Sequence, residues 1–270
     1  KGIRTNSPAM AKVAVITGAS GGLGASLAQV LEKNGYTVCG LSRTNPGGLD
    51  NFFYCDVTRE ESVEAAFEGV KKSFGEADLV IINAGVGIAG ETACMPSELA
   101  EKAFGVNFFG ALYCAKAAAK CLKKGGRLVG ISSAAAFFAL PYRSLYAATK
   151  AALNLMLWGL SMEERDIEVT SICPGEIDTP FTQNRLWHID EASPHAAKLK
   201  KIAEKFEESR KRRMDSEKVA GKIFRICQKK RLSPLYIIGA KYRFFYFLQK
   251  ILPQRAMMAL AAKKYGGGNE

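Results

Sequence analysis

The chain has 270 residues, 48% of them hydrophobic and 24% charged, a balance that suits one large globular α/β body and excludes a fibrous or disordered chain. Its net charge of +12 calls for an anionic partner: a phosphorylated cofactor, an acidic substrate, nucleic acid or an anionic membrane surface. Seven cysteines scattered through apolar segments, with no C-x-x-C pair and only two histidines, argue against a zinc site or any other metal and for reduced thiols in a cytoplasm, while no apolar run approaches the length of a membrane span.

Lys1 to Ala9 carry no pattern and precede Met10. They read as an expression remnant, with Met10 as the expected native start and 10–270 as a single domain. Val13 to Ile16 form a short apolar run that suits a strand covered on both faces. Glycines follow at 18, 21, 22 and 24. Leu27, Val30 and Leu31 then fall at helical spacing, and Gly35 closes the helix. A strand, a glycine turn and a helix open a dinucleotide fold, because glycines let the backbone approach a pyrophosphate seated on helix N-terminal amides.

Tyr36 to Leu41 reads as the second strand, followed by Ser42 and Arg43. An acidic residue at this point would bind the ribose 2′-hydroxyl of NAD. Arg43 can instead pair with a 2′-phosphate, which favours NADP(H) as cofactor. Asn51 to Cys55 is the third strand, and Asp56-Val57-Thr58 follows it. Thr58 and Glu61 have capping-box spacing, so a helix is expected from there. Asp78 to Ile82 is the fourth strand, running into Asn83-Ala84-Gly85. Ser97 is the expected N-cap of a long helix that passes through Asn107 to Lys124 and ends at Gly125 and Gly126.

Arg127 to Ser133 is the fifth strand. Tyr146 to Lys150 opens an apolar helix that runs through Leu160. Glu168 to Cys173 is the sixth strand, closed by Pro174-Gly175. The rhythm then breaks. Residues 181–213 are charged and read as a surface helical insertion that acts as a substrate flap. Ser216 is expected to cap a helix to Lys230, and Leu235 to Gly239 is the last strand. The basic, aromatic extension 241–270 has two open readings. It packs over a cleft or a partner subunit, or it lies in an anionic membrane interface. Alternating strands and helices imply a doubly wound parallel sheet.

Tyr146 and Lys150 are four residues apart and share one helix face. A nearby ammonium favours phenolate, which makes a tyrosine usable as an acid or base near neutral pH. Ser133 lies thirteen residues before Tyr146, with Ser132 as its alternative.

The T-G-x-x-x-G-x-G turn, the N-A-G segment, Asn107, the serine, Y-x-x-x-K and CPGEIDTPF together resemble the classical short-chain dehydrogenases/reductases over roughly Lys12 to Gly239. The resemblance implies a Rossmann-type fold. It makes Tyr146 the acid/base and Lys150 the group that lowers its pKa and holds the nicotinamide ribose. Ser133 then hydrogen-bonds the substrate oxygen, and Asn107 holds a water that relays protons from Lys150. Gly18, Ser20, Leu23, Arg43, Asp56, Asn83, Ile177 and Thr179 match cofactor-contacting positions. Gly22, Gly24, Ser42, Val57, Ala84, Gly85, Pro174 and Gly175, in the same motifs, are expected to contact the cofactor as well.

The implied function is an NADP-dependent oxidoreductase interconverting a ketone and a secondary alcohol, in a homodimer or homotetramer built through the helices that carry Asn107 and Tyr146. The apolar stretch Ala134 to Tyr142 suits a lipid- or steroid-like substrate, with ordinary loop packing as the other reading. Trp187, His188 and the basic flap cover that substrate or are simply solvated. The rival function is a catalytically silent nucleotide-binding or scaffold protein on the same fold. Nucleic-acid binding is disfavoured, because the basic residues are dispersed and no recognition module is present.

Overall fold

In the computed structural model, which describes residues 11–265, strand and helix alternate from the start. The elements are β1 (Lys12–Thr17), α1 (Gly22–Lys33), β2 (Tyr36–Ser42), β3 (Phe52–Tyr54), α2 (Glu60–Phe74), β4 (Ala77–Ile82) and β5 (Ile88–Gly90). Next come α3 (Ser97–Phe104), a π-turn over Gly105–Phe109, α4 (Gly110–Cys121), β6 (Leu122–Ile131), a 3-10 turn over Ala134–Phe137, α5 (Ser144–Glu163) and β7 (Glu168–Pro174). The chain continues through β8 (Ile177–Asp178), α6 (Pro180–Gln183), β9 (Leu186–His188), α7 (Ala196–Glu208) and a 3-10 turn over Ser209–Arg212. It closes with β10 (Met214–Asp215), α8 (Ser216–Cys227), β11 (Leu235–Ile238), α9 (Ala240–Ile251) and α10 (Gln254–Tyr265).

Seven strands form one sheet in the order β11-β7-β6-β4-β1-β2-β3, every pair parallel. It is a Rossmann-type α/β sheet. Alternate side chains of β1 leave on opposite faces, as a strand requires. Val13 and Val15 meet α2, α4 and α5 through Val63, Phe67, Cys114 and Leu157. Ala14 and Ile16 meet α1 and α8 through Leu27, Leu31, Val219 and Ile223. The strand order reverses between β1 and β4, so a crevice opens beyond their C-terminal ends.

Several boundaries depart from the sequence expectation. The Thr58–Glu61 capping box does not form. The Thr58 hydroxyl donates to Asp56 Oδ1 at 2.8 Å, and Arg59 takes the cap position of α2 without a side-chain bond. Ser97 is the first residue of α3, and Pro96 precedes it. The single long helix is divided by the π-turn and ends at Cys121, so residues expected to finish it begin β6. Asp215 rather than Ser216 caps α8, accepting from Lys218 N at 2.9 Å, and that helix stops at Cys227.

Insertion 181–213 is only partly helical. Within it β9 pairs in parallel with β5, Ile88 opposite Leu186. No described helix is long and apolar enough to cross a membrane. Among the described residues all seven cysteines are free, and all but Cys94 are buried. Burial pushes Cys39 and Cys227 up to about 12, which makes them inert. The expectations for Lys1 to Met10 and for the glycine-rich end at 266–270 lie outside the described residues.

Candidate active site

A cavity of about 580 Å³ occupies the crevice. Its floor begins at the turn after β1, where Gly18 takes φ +67°, a conformation that favours glycine. Asn83 Nδ2 donates to the carbonyls of Thr17 and Gly18 at 3.1 and 3.2 Å. Thr17 Oγ1 accepts from Asn83 N and Ala84 N at 3.0 and 3.1 Å. The N-A-G segment is thereby tied to the glycine turn, and the Asn83 side chain is used in holding the floor.

Helix α1 starts beside this turn with no side-chain cap and no acidic residue in its first turn. Its free N–H groups suit a pyrophosphate. Gly18, Ser20, Gly22 and Leu23 line the cavity; Gly24 does not. A β-carbon at Gly24 would lie 2.1 Å from Gly18 O, so Gly24 lets α1 approach the turn and does not face a ligand.

Ser42, Arg43, Asp56, Val57, Asn83, Ala84 and Gly85 also line the cavity, as do Pro174, Gly175, Ile177 and Thr179. Ser42 Oγ donates to Thr44 O at 2.7 Å, which shapes the loop, while Arg43 stays exposed at the mouth. Hydrogen bonds from Thr58 hold the Asp56 carboxyl below its ordinary value, with Arg43 and Arg59 adding to the effect. Thr58 itself lines the cavity, a position the sequence did not single out.

Helix α5 brings Tyr146 and Lys150 to the inner end of this floor, both buried. Lys150 Nζ donates to Ile131 O at 3.0 Å, and burial pulls its pKa down to about 8. Ser133 Oγ accepts from Ala135 N at 3.1 Å and lies within hydrogen-bonding reach of the Tyr146 hydroxyl. Ser132 Oγ donates instead to Lys150 O at 3.1 Å, so the two serines divide: Ser132 holds the helix and Ser133 faces the phenol.

The Tyr146 phenol differs from expectation, because burial raises it above its ordinary value. The groups that push it back down are Ser133, Arg185 and Arg143, and the Lys150 ammonium is held at the β6 carbonyl. Asn107 sits in the π-turn, a distortion that recurs at functional sites. Its amide donates to Val86 O and Thr149 Oγ1 at 2.9 and 3.1 Å and accepts from Val86 N at 2.8 Å. Asn107 lies behind the cavity wall and does not line it, although a β-carbon at Gly85 would touch both Asn107 Oδ1 and Lys150 Nζ, at 3.1 and 3.5 Å.

The other half of the cavity is made by Phe181, at the end of CPGEIDTPF, and by residues of the insertion and tail that carry no motif. From the insertion come Phe181, whose ring centroid is 6.2 Å from that of Tyr146, and the buried Arg185. Trp187 packs on Phe206 at 6.0 Å and His188 is half-buried, so this part of the insertion is not simply solvated. The tail supplies a roof. Tyr246 packs on Phe137 at 4.6 Å and Phe245 on Phe138 at 6.2 Å. Met257 of α10 is buried against the same cavity. Of the two readings of the tail, packing over the cleft is observed for its inner face. Phe244, Phe247 and Ile251 of α9 remain exposed on the outer face.

The profile of the short chain dehydrogenase family matches residues 12–188. The chain belongs to that family. Its oxidoreductases include 3-ketodihydrosphingosine reductase of Bacteroides thetaiotaomicron, 34% identical over 180 residues that span 64% of this chain and 67% of that protein. Similar solved structures include an alcohol dehydrogenase from the archaeon Thermococcus sibiricus complexed with 5-hydroxy-NADP. It has a TM-score of 0.71 at 23% identity and covers 86% of this chain and 97% of its own. A short chain dehydrogenase/reductase from Burkholderia phymatum in complex with NAD has a TM-score of 0.75 at 21% identity, with coverage of 89% and 95%. The uncapped start of α1 and the positive-φ glycine turn fit a nicotinamide dinucleotide in the same crevice of this family member.

Proposed function

We propose that this short-chain dehydrogenase is an NADP-dependent oxidoreductase that interconverts a ketone and a secondary alcohol on an apolar, lipid- or steroid-like substrate. The observation that carries the reading is the meeting of Ser133, Tyr146 and Lys150 where the glycine floor joins an apolar roof. Phe138, Leu140, Phe245 and Met257 face that junction, which suits a long apolar substrate. The Bacteroides relative is named for a keto substrate. Arg43 at the mouth favours a 2′-phosphate and so NADP over NAD.

In this reading the glycine floor, Arg43 and Lys150 would hold the dinucleotide. The bound nicotinamide supplies the hydride. Tyr146 Oη holds the proton and delivers it to the carbonyl oxygen as charge develops there. Ser133 Oγ donates a hydrogen bond to the same oxygen. Lys150 would hold the ribose while its ammonium stays at the Ile131 carbonyl, Arg185 and Arg143 are the cations that favour the phenolate, and Asn107 would order the proton path behind them. The reverse sequence oxidises the alcohol.

The outer face of α9 has exposed Phe244, Phe247 and Ile251 beside Lys241, Arg243 and Lys250, a pattern suited to peripheral contact with an anionic membrane on the cytoplasmic side. Exposed Phe109, Leu155 and Met162 lie in or near the helices that carry Asn107 and Tyr146, which supports a homodimer or homotetramer through that face. Fluorescence titration with NADPH and NADH, followed by a carbonyl panel, tests the main reading. NADPH binding with turnover of long-chain or steroidal ketones is the expected result. Absence of turnover on every ketone would reject it.

A further inference from the structure

Arg185 is 9% exposed, and its Nε and Nη1 are buried without a hydrogen-bond partner. A buried guanidinium with idle donors is costly, because it has lost water and gained nothing in exchange. The cation is not relieved by its neighbours. Glu176, the nearby carboxylate, is already bonded by Arg143 Nη1 at 3.1 Å. Phe206 lies under the Arg185 guanidinium at 4.1 Å, but this contact occupies the face of the group and leaves the buried edge atoms Nε and Nη1 unpaired. On the same ring sits a second guanidinium, Arg213, at 4.3 Å. Arg213 is buried too, donates to Phe206 O, and reaches only the half-exposed Glu207 at 4.0 Å. Arg143 is the third guanidinium on this ring, at 5.9 Å, and the partly exposed Glu176 that it bonds is the carboxylate beside them.

The position of Arg185 gives this excess charge a purpose. It lines the same cavity as Tyr146 and Lys150, and its stem packs against Gly87, where a β-carbon would meet Nε at 3.4 Å. The pairing of β9 with β5 fixes the residue just before Leu186 at the inner wall, so the guanidinium is held in place.

We propose that Arg185 is an anchor for a carboxylate on the substrate, which makes the preferred substrate an apolar keto or hydroxy acid. The proposal rests on the oxidoreductase reading for the keto group and deepens it by naming the second functional group. The carboxylate would pair with Arg185, the aliphatic stem would run under Phe245 and Met257, and the carbonyl would face Tyr146.

The test is a binding comparison on the full chain, with and without NADP, by isothermal titration calorimetry. The probes are decanoate and its neutral counterpart decanamide. Wild type is expected to bind decanoate at least about tenfold more tightly, the scale of a hydrogen bond to a charged group. Arg185→Gln is expected to level the two affinities, and Arg185→Lys to restore part of the difference. Equal affinities in wild type, no binding of decanoate, or an undiminished preference in Arg185→Gln would each overturn the anchor. The wild-type comparison needs no variant to fold. Ketone turnover in the same preparation separates the two readings. Carboxylate preference without turnover keeps the anchor and rejects the oxidoreductase, and turnover without preference does the reverse.

Discussion

The ring of Tyr242 lies directly on Gly175, so closely that a β-carbon at Gly175 would sit 1.8 Å from Tyr242 Cε2. Tyr242 Oη also accepts from Glu176 N at 3.2 Å. The tail is thus docked on the loop after β7, which lines the cavity. Gly175→Ala should expel the ring and release α9. Trypsin cleavage at Lys241, Arg243 and Lys250 should then accelerate several-fold. Tyr242→Phe, which keeps the ring and loses a bond of about 1 kcal/mol, should change cleavage little. Equal cleavage of Gly175→Ala and wild type would dismiss this docking.

Tyr146→Phe should leave NADPH affinity near wild type and lower kcat by about 10²- to 10⁴-fold, the usual span for losing a general acid. The phenyl ring still packs against Phe181, whose centroid lies 6.2 Å away, so the fold is kept. A kcat within threefold of wild type on any accepted ketone would remove Tyr146 from the proton path.

Arg43→Asp should move cofactor preference toward NADH. Loss of an attraction and gain of a repulsion act together on a 2′-phosphate. A shift of roughly ten- to hundredfold in the ratio of the two dissociation constants corresponds to one charge-assisted hydrogen bond. Equal losses for both cofactors would place Arg43 away from the phosphate.

Lys150→Met should abolish turnover and yet raise the thermal midpoint at pH 7. Burial pulls Lys150 from 10.5 down to about 8. Between those values the unfolded chain binds more protons than the folded one, so stability climbs with pH across that window. Below about 8 the ammonium is charged in both states and the folded chain carries the whole cost, roughly 3 kcal/mol. The advantage of methionine should therefore be full at pH 7 and shrink as pH rises from 8 toward 10.5. A lower midpoint for the variant at pH 7 would contradict the burial cost.

The sheet and the floor of the site were readable because their signals are local. Glycines at 18 and 22, apolar four-residue strands and the Tyr146–Lys150 spacing each state their geometry within a few residues. The π-turn was not readable, because its composition differs little from that of the helices on either side. Thr58 misled because its hydroxyl can cap a helix or bond Asp56, and only the fold decides between them. Arg185 looked like one more basic residue in a charged stretch. Its burial comes from pairing two short strands almost a hundred positions apart, together with Phe206 from a later helix. Gly24 carried the right residue type for the wrong reason, since helix-to-turn contact and ligand contact both demand glycine.

The docking of α9 and α10 divides the cavity between two parts of the chain. Its floor and the Tyr146 wall come from residues up to Thr182, while Tyr242, Phe245, Met257 and Tyr265 come from the last described stretch. The glycine floor and the apolar ceiling are thus supplied by separate stretches of the chain. Change in the closing helices can therefore retune which molecule is accepted while the cradle beneath stays as it was.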